Sequence, residues 1–143
     1  HLGSICEHPY YIDRVSVDLE AGTMTKDLTL MQTTCGSSST HGPGTLLFIN
    51  GDLVLTVGDG SQYAEFDPGF PEDGCFVPDG GDDQGVFRAQ REDFTNGKVL
   101  RINGSLIDSE VELSNKQVSF MGKGLRQPFR AYYRVSDDTL WIG

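Results

Sequence analysis

The chain has 143 residues, a formal net charge of −10 and 37% hydrophobic residues. That length allows one domain with a real core. The acidic balance argues against a nucleic-acid binder, because a phosphate backbone calls for a basic patch. The 18 glycines and 6 prolines are spread along the chain rather than clustered, which argues against low complexity.

In chain order, short β-rich runs bounded by turn residues recur, and helical periodicity is almost absent. The predicted strands are Arg14–Leu19, Asp27–Thr33, Thr45–Ile49, Leu53–Val57, Lys98–Ile102, Gln117–Phe120, Ala131–Val135 and Thr139–Ile142. Glu20-Ala21-Gly22 separates the first two. Asn50-Gly51-Asp52 joins the third and fourth as a tight hairpin, since Asn-Gly tolerates positive φ at both central positions. Ser136-Asp137-Asp138 joins the last two.

The pattern predicts an all-β chain, with consecutive hairpins that suit a four-stranded propeller blade. The run RVSVDLEAGTMTKDLTLMQT reads as an outer pair and GTLLFINGDLVLTVGDG as an inner pair. The segment Ser61–Asn96 is a long loop rich in Gly, Pro and Asp, and loops of that length are usually functional or disordered. A blade takes roughly 40–50 residues, so the chain supplies about two blades plus this loop. Propellers close with at least about four blades, so further blades of the same polypeptide are expected. His1 at one end and the strand that stops at Gly143 at the other both read as cuts through a longer chain.

Cys6, Cys35 and Cys75 form no CxxC, so zinc clusters and thioredoxin-like motifs have little support. Cys35 and Cys75 flank the central hairpin and are candidates for a disulfide tying the long loop to the blade, with Cys6 pairing beyond the chain. Asn103-Gly104-Ser105 is a glycosylation sequon. Together these features predict a secreted or cell-surface protein. No apolar run approaches the roughly 20 residues of a membrane span.

Among titratable residues, His41 reads as a general base, a metal ligand or a structural residue at a strand start. Asp59, in Gly-Asp-Gly after a strand, reads either as a site carboxylate or as a turn aspartate accepting backbone N–H groups. Arg126, between Gly124 and Pro128, suits an anion or a quinone, or a surface ion pair. Asp79, Asp82 and Asp83 could offer oxygens to calcium, but the full EF-hand spacing is missing, and a solvated acidic loop is the simpler reading. The metal ligands are therefore left unknown. Phe129, Tyr132, Tyr133 and Trp141 read as core or sheet-face aromatics.

Several motifs stand in a fixed order: His41-Gly42-Pro43-Gly44 before Leu47-Phe48, Gly58-Asp59-Gly60, Ala89-Gln90, Gly97-Lys98-Val99-Leu100-Arg101-Ile102 and Gly124-Leu125-Arg126-Gln127-Pro128. In this order, from Ser16 to Gly143, the chain resembles the glucose/sorbosone dehydrogenase family. Its members are six-bladed propellers, some of which bind pyrroloquinoline quinone and calcium, and it includes the hedgehog-interacting protein. The resemblance implies a quinone-dependent sugar dehydrogenase oxidising an aldose. It casts His41 as the base that takes the anomeric hydroxyl proton and Asp59 as the carboxylate that orients it. Arg126 is implied as the contact to the quinone oxygens, with Gln127 beside it where the family has asparagine. Pro43 and Asn96 also depart from the family pattern. The chemistry is coherent, because hydride leaves a sugar carbon more readily when the hydroxyl proton leaves with it. The rival expectation is a non-catalytic secreted module on the same scaffold, using the acidic loop Ser61–Gln84 to bind a protein or a glycan. A weaker third is a lactonase-like hydrolase with calcium at the channel mouth.

Overall fold

The computed structural model describes residues 8–33, 36, 38, 40–61, 66–67, 85–108 and 110–143. The chain is mostly antiparallel β-sheet. Its strands are β1 (Tyr11–Asp18), β2 (Thr23–Gln32), β3 (Pro43–Ile49), β4 (Asp52–Val57), β5 (Lys98–Ile102), β6 (Val118–Lys123), β7 (Ala131–Arg134) and β8 (Thr139–Ile142). A 3-10 helix spans Gly85–Gln90, and one turn of helix, α1 (Gly104–Ile107), follows β5.

Every predicted strand is present, with ends moved by up to four residues. The pairing differs from the sequence expectation. Strands β1 and β2 form a sheet of their own rather than the outer half of a blade with β3 and β4. The four-stranded meander is β3-β4-β5-β6, and β7-β8 is a second separate hairpin. The reason lies in β4. Its residues Leu53–Val57 are all buried, so it needs a partner on each edge and cover on both faces. β5, with four of five residues buried, provides the second edge.

Register places the core. Leu53 lies opposite Ile102 and Leu55 opposite Leu100, so these four share one face of the sheet. That face meets Ile12, Leu30 and Met31 of the β1-β2 hairpin, with Leu113 closing the cluster. Val54, Thr56 and Val99 are buried on the opposite face. The register of β3 on β4 shifts between Pro43 and Leu46, and there the Thr45 N–H donates to Thr56 Oγ1 at 2.8 Å. A side chain thus replaces a lost ladder bond.

The Asn50-Gly51 turn is as expected. Asn50 has φ 52° and Gly51 φ 88°, the pair of positive values a two-residue hairpin with right-handed strand twist requires. The predicted long loop needs correction at its C-terminal end. Gly85–Gln90 is helical, and Phe94, Thr95 and Asn96 are fully buried. Cys6, Cys35, Cys75, Asp79, Asp82 and Asp83 lie outside the described residues. Among the described residues, no helix is long and apolar enough to cross a membrane.

Candidate functional site

Both ends of the β3-β4 hairpin are tight, and the end away from the turn gathers buried charged side chains. At the end away from the Asn-Gly turn, β3 begins, β4 ends, and the segments around Ala89, Gly97 and Arg126 arrive. The main chain ties them together. Gly58 N–H donates to Gly42 O at 3.0 Å, and Gly60 N–H to His41 O at 3.1 Å. Asp59 N–H donates to Arg126 O at 2.9 Å, and Gly97 N–H to Gly58 O at 2.8 Å. Leu125 N–H reaches Gly97 O and Gly124 N–H reaches Ala89 O. The motifs noted in sequence are therefore one hydrogen-bonded knot. Gly58 sits at its tightest point: a Cβ there would lie 2.2 Å from His41 O and 3.0 Å from Arg126 O.

This knot brings His41 and Asp59 into contact. His41 Nδ1 is 2.9 Å from Asp59 Oδ1, and both residues are 3% exposed. His41 has φ 57°, a left-handed value that is uncommon for a residue with a Cβ. Such a conformation is held by its surroundings. Here the surroundings are the His41 O acceptor bond, the carboxylate on the ring, and Tyr10, whose hydroxyl donates to Ser38 O at 2.7 Å just upstream.

Asp59 combines the two readings its sequence context left open. Its Oδ1 accepts the Ser61 N–H at 3.0 Å, closing a turn of the Asx type, and also faces His41. Ser61 Oγ donates to the same oxygen at 2.8 Å. Arg126 completes the set. Its Nη1 is 3.7 Å from Asp59 Oδ2 and 3.4 Å from Ser61 Oγ, while its side chain is 54% exposed. His41, Asp59 and Arg126, the three principal site candidates, are thus brought together. Gln127 is exposed in the following turn.

Behind the site lies a buried polar layer that sequence reading missed. Arg88 is completely buried; its Nη1 is 3.3 Å from Asp67 Oδ2 and 3.5 Å from Asp59 O. Asn96, noted only as a departure from the family pattern, donates through Nδ2 to Asp59 O at 3.4 Å. Lys98, also completely buried, donates to Arg88 O, Ala89 O and Asn96 O at 3.2, 2.8 and 2.7 Å. Burial, reinforced by the nearby Lys123, pushes its pKa down to about 8. Signals for Lys98 and for Ser61 were present in the sequence. Strand alternation puts Lys98 on the same face as Leu100 and Ile102, and Ser61 stands two residues after Asp59, the Asx-turn spacing.

Asn103 is exposed, away from the site. It caps α1, its Oδ1 accepting from Ser105 N at 3.0 Å and Ser105 Oγ at 2.7 Å. Among the described residues no group of three or more His, Cys, Asp or Glu is arranged to hold a metal ion. The Asp59 carboxylate is already committed to His41, Ser61 and Arg126, so it is poorly placed to ligate calcium as well. The donor set does fit an oxygen-rich planar group in one respect: Arg126 presents a half-exposed guanidinium beside the buried His41–Asp59 pair. Comparison with protein-family models, with curated proteins and with solved structures found no match.

Proposed function

We propose that the chain is part of a β-propeller of the glucose/sorbosone dehydrogenase type, located outside the cell, that oxidises an aldose with His41 as base. The observation that carries this reading is the 2.9 Å contact between His41 Nδ1 and Asp59, with Arg126 beside it. These residues lie far apart in sequence and were singled out for those roles. The antiparallel meander β3–β6 serves as a blade, and the exposed Asn103 as the glycosylated position. Further blades of the same polypeptide complete the cavity.

The chain's own residues would act as follows. Asp59 accepts from Nδ1–H, which leaves Nε2 as the basic nitrogen of the imidazole. His41 takes the proton of the anomeric hydroxyl at Nε2 as the carbon–hydrogen bond breaks. Asp59 stabilises the imidazolium so formed. Arg126 stabilises negative charge developing on an acceptor's oxygens, with Gln127 adjacent. A bound quinone supplies the two-electron sink that the protein itself lacks. Calcium, in this reading, is held by residues outside those described.

A second reading is favoured by the burial of the pair. With His41 and Asp59 each 3% exposed, the contact also suits a clamp that holds the knot in a non-catalytic binding module. Such a module would meet an extracellular protein or glycan through the acidic loop. Dye reduction by the full-length protein with added quinone, calcium and a panel of aldoses separates the two. Turnover that is lost in His41→Ala supports the dehydrogenase. Turnover no higher than in that variant supports the module.

A further inference from the structure

The Asp59 carboxylate faces three neighbours, His41 and Ser61 at Oδ1 and Arg126 at Oδ2, and their distances are unequal. His41 Nδ1 is 2.9 Å from Oδ1, whereas Arg126 Nη1 stands 3.7 Å from Oδ2, short of a good hydrogen bond. A guanidinium beside a carboxylate ordinarily closes into a two-pronged pair. Here the guanidinium stays 3.7 Å away, and Ser61 contacts both groups. Its N–H and its hydroxyl both donate to Oδ1, at 3.0 and 2.8 Å, which fixes the plane of the carboxylate. Its Oγ also lies 3.4 Å from both Arg126 Nη1 and His41 Nδ1, so it touches the two groups that face the carboxylate. Ser61 is completely buried, so water does not take over these bonds.

We propose that Ser61 is a positioning residue that keeps Asp59 on His41 and off Arg126, and so holds the imidazole in the Nδ1-protonated tautomer. The inference deepens the base role given to His41 above and rests on it for its catalytic meaning. Without the hydroxyl, only the residue 61 N–H still donates to Oδ1, and the carboxylate turns more readily toward Arg126. The imidazole then loses the acceptor that selects its tautomer.

The test is nitrogen NMR of the His41 ring in the full-length protein, at a pH where the imidazole is neutral, with no quinone or sugar added. In the wild type the shifts should report Nδ1–H. In Ser61→Ala, the Nδ1-protonated share should fall by about two-fold or more. In Ser61→Ala with Arg126→Gln it should recover, because the competitor is gone. Wild-type shifts in Ser61→Ala, or no recovery in the double variant, would overturn the proposal. Amide spectra confirm that each variant is folded. Should Ser61→Ala fail to fold, Ser61→Cys, a weaker donor, should lower the share in the same direction, and unchanged shifts there overturn the proposal equally. Failure of the dehydrogenase reading is seen separately, as wild-type protein that reduces no dye while the ring shifts still decide the role of Ser61.

Discussion

The two ends of the β3-β4 hairpin contain the same unusual backbone conformation for opposite reasons. Asn50, at the turn, has φ 52°, and His41, at the rim, has φ 57°. Asn50 is exposed and is followed by Gly51, whose missing Cβ has nothing within 4 Å. Its conformation is local turn chemistry: asparagine tolerates the left-handed region and a two-residue hairpin needs it. His41 is buried, and the next strand end passes so close that Gly58 has no room for a Cβ. Its conformation is imposed by tertiary contacts and holds the ring on Asp59. A positive φ that the sequence explains locally belongs to a turn; the one at His41 is held by contacts from distant segments.

The largest effects should come from the glycines at the two ends. Gly58→Ala drives a methyl into the backbone of His41 and should cost about 3 kcal/mol by denaturant unfolding. Gly51→Ala meets open space and should cost only the left-handed penalty, about 1 kcal/mol. Equal losses would mean that the rim is no more constrained than the turn. The next pair replaces the strained residues themselves. His41→Gly relieves the backbone but leaves the Asp59 carboxylate short of a partner, for a net loss of about 2 kcal/mol. Asn50→Gly should change stability by less than about 1 kcal/mol, since it loses only an exposed side-chain bond to Tyr133.

Both ends should also respond to pH, each gaining stability as the pH rises but in a different window. At the turn end, the Gly104 N–H and then Arg101 hold the Asp52 carboxyl below its ordinary value of 3.8. Its contribution is present above that value and is lost as the pH falls through the lowered one. At the rim end, Lys98 titrates near 8 when folded against 10.5 when unfolded. Between those values the unfolded chain binds more protons, so stability rises with pH. Denaturant midpoints followed across pH should therefore show an acid loss that Asp52→Asn reduces, since Asp13, Glu92, Asp93 and Asp137 also have lowered carboxyl values. They should also show an alkaline gain that Lys98→Met abolishes. A gain that survives in Lys98→Met would assign it to another group.

Much of this protein was readable in one dimension. The short β-rich runs Leu53–Val57 and Lys98–Ile102, and the Asn50-Gly51 turn, are local properties of a few residues, and they appear where the sequence put them. His41, Asp59 and Arg126 were found through motif order, a signal that names residues without saying how they meet. What the chain order could not supply was partner choice. Its order suggested a blade from the first two hairpins, whereas the buried edges of β4 recruit β5, some 40 positions downstream. Nor could it show that Asp59 closes its own turn and faces His41 with the same oxygen, or that Arg88, Asn96 and Lys98 form a dry layer behind it. Propensity and turn chemistry act over a few bonds and are written in the sequence. Burial, competition for one carboxylate and the conformation of His41 depend on groups brought together from distant segments, and only the folded chain sets them.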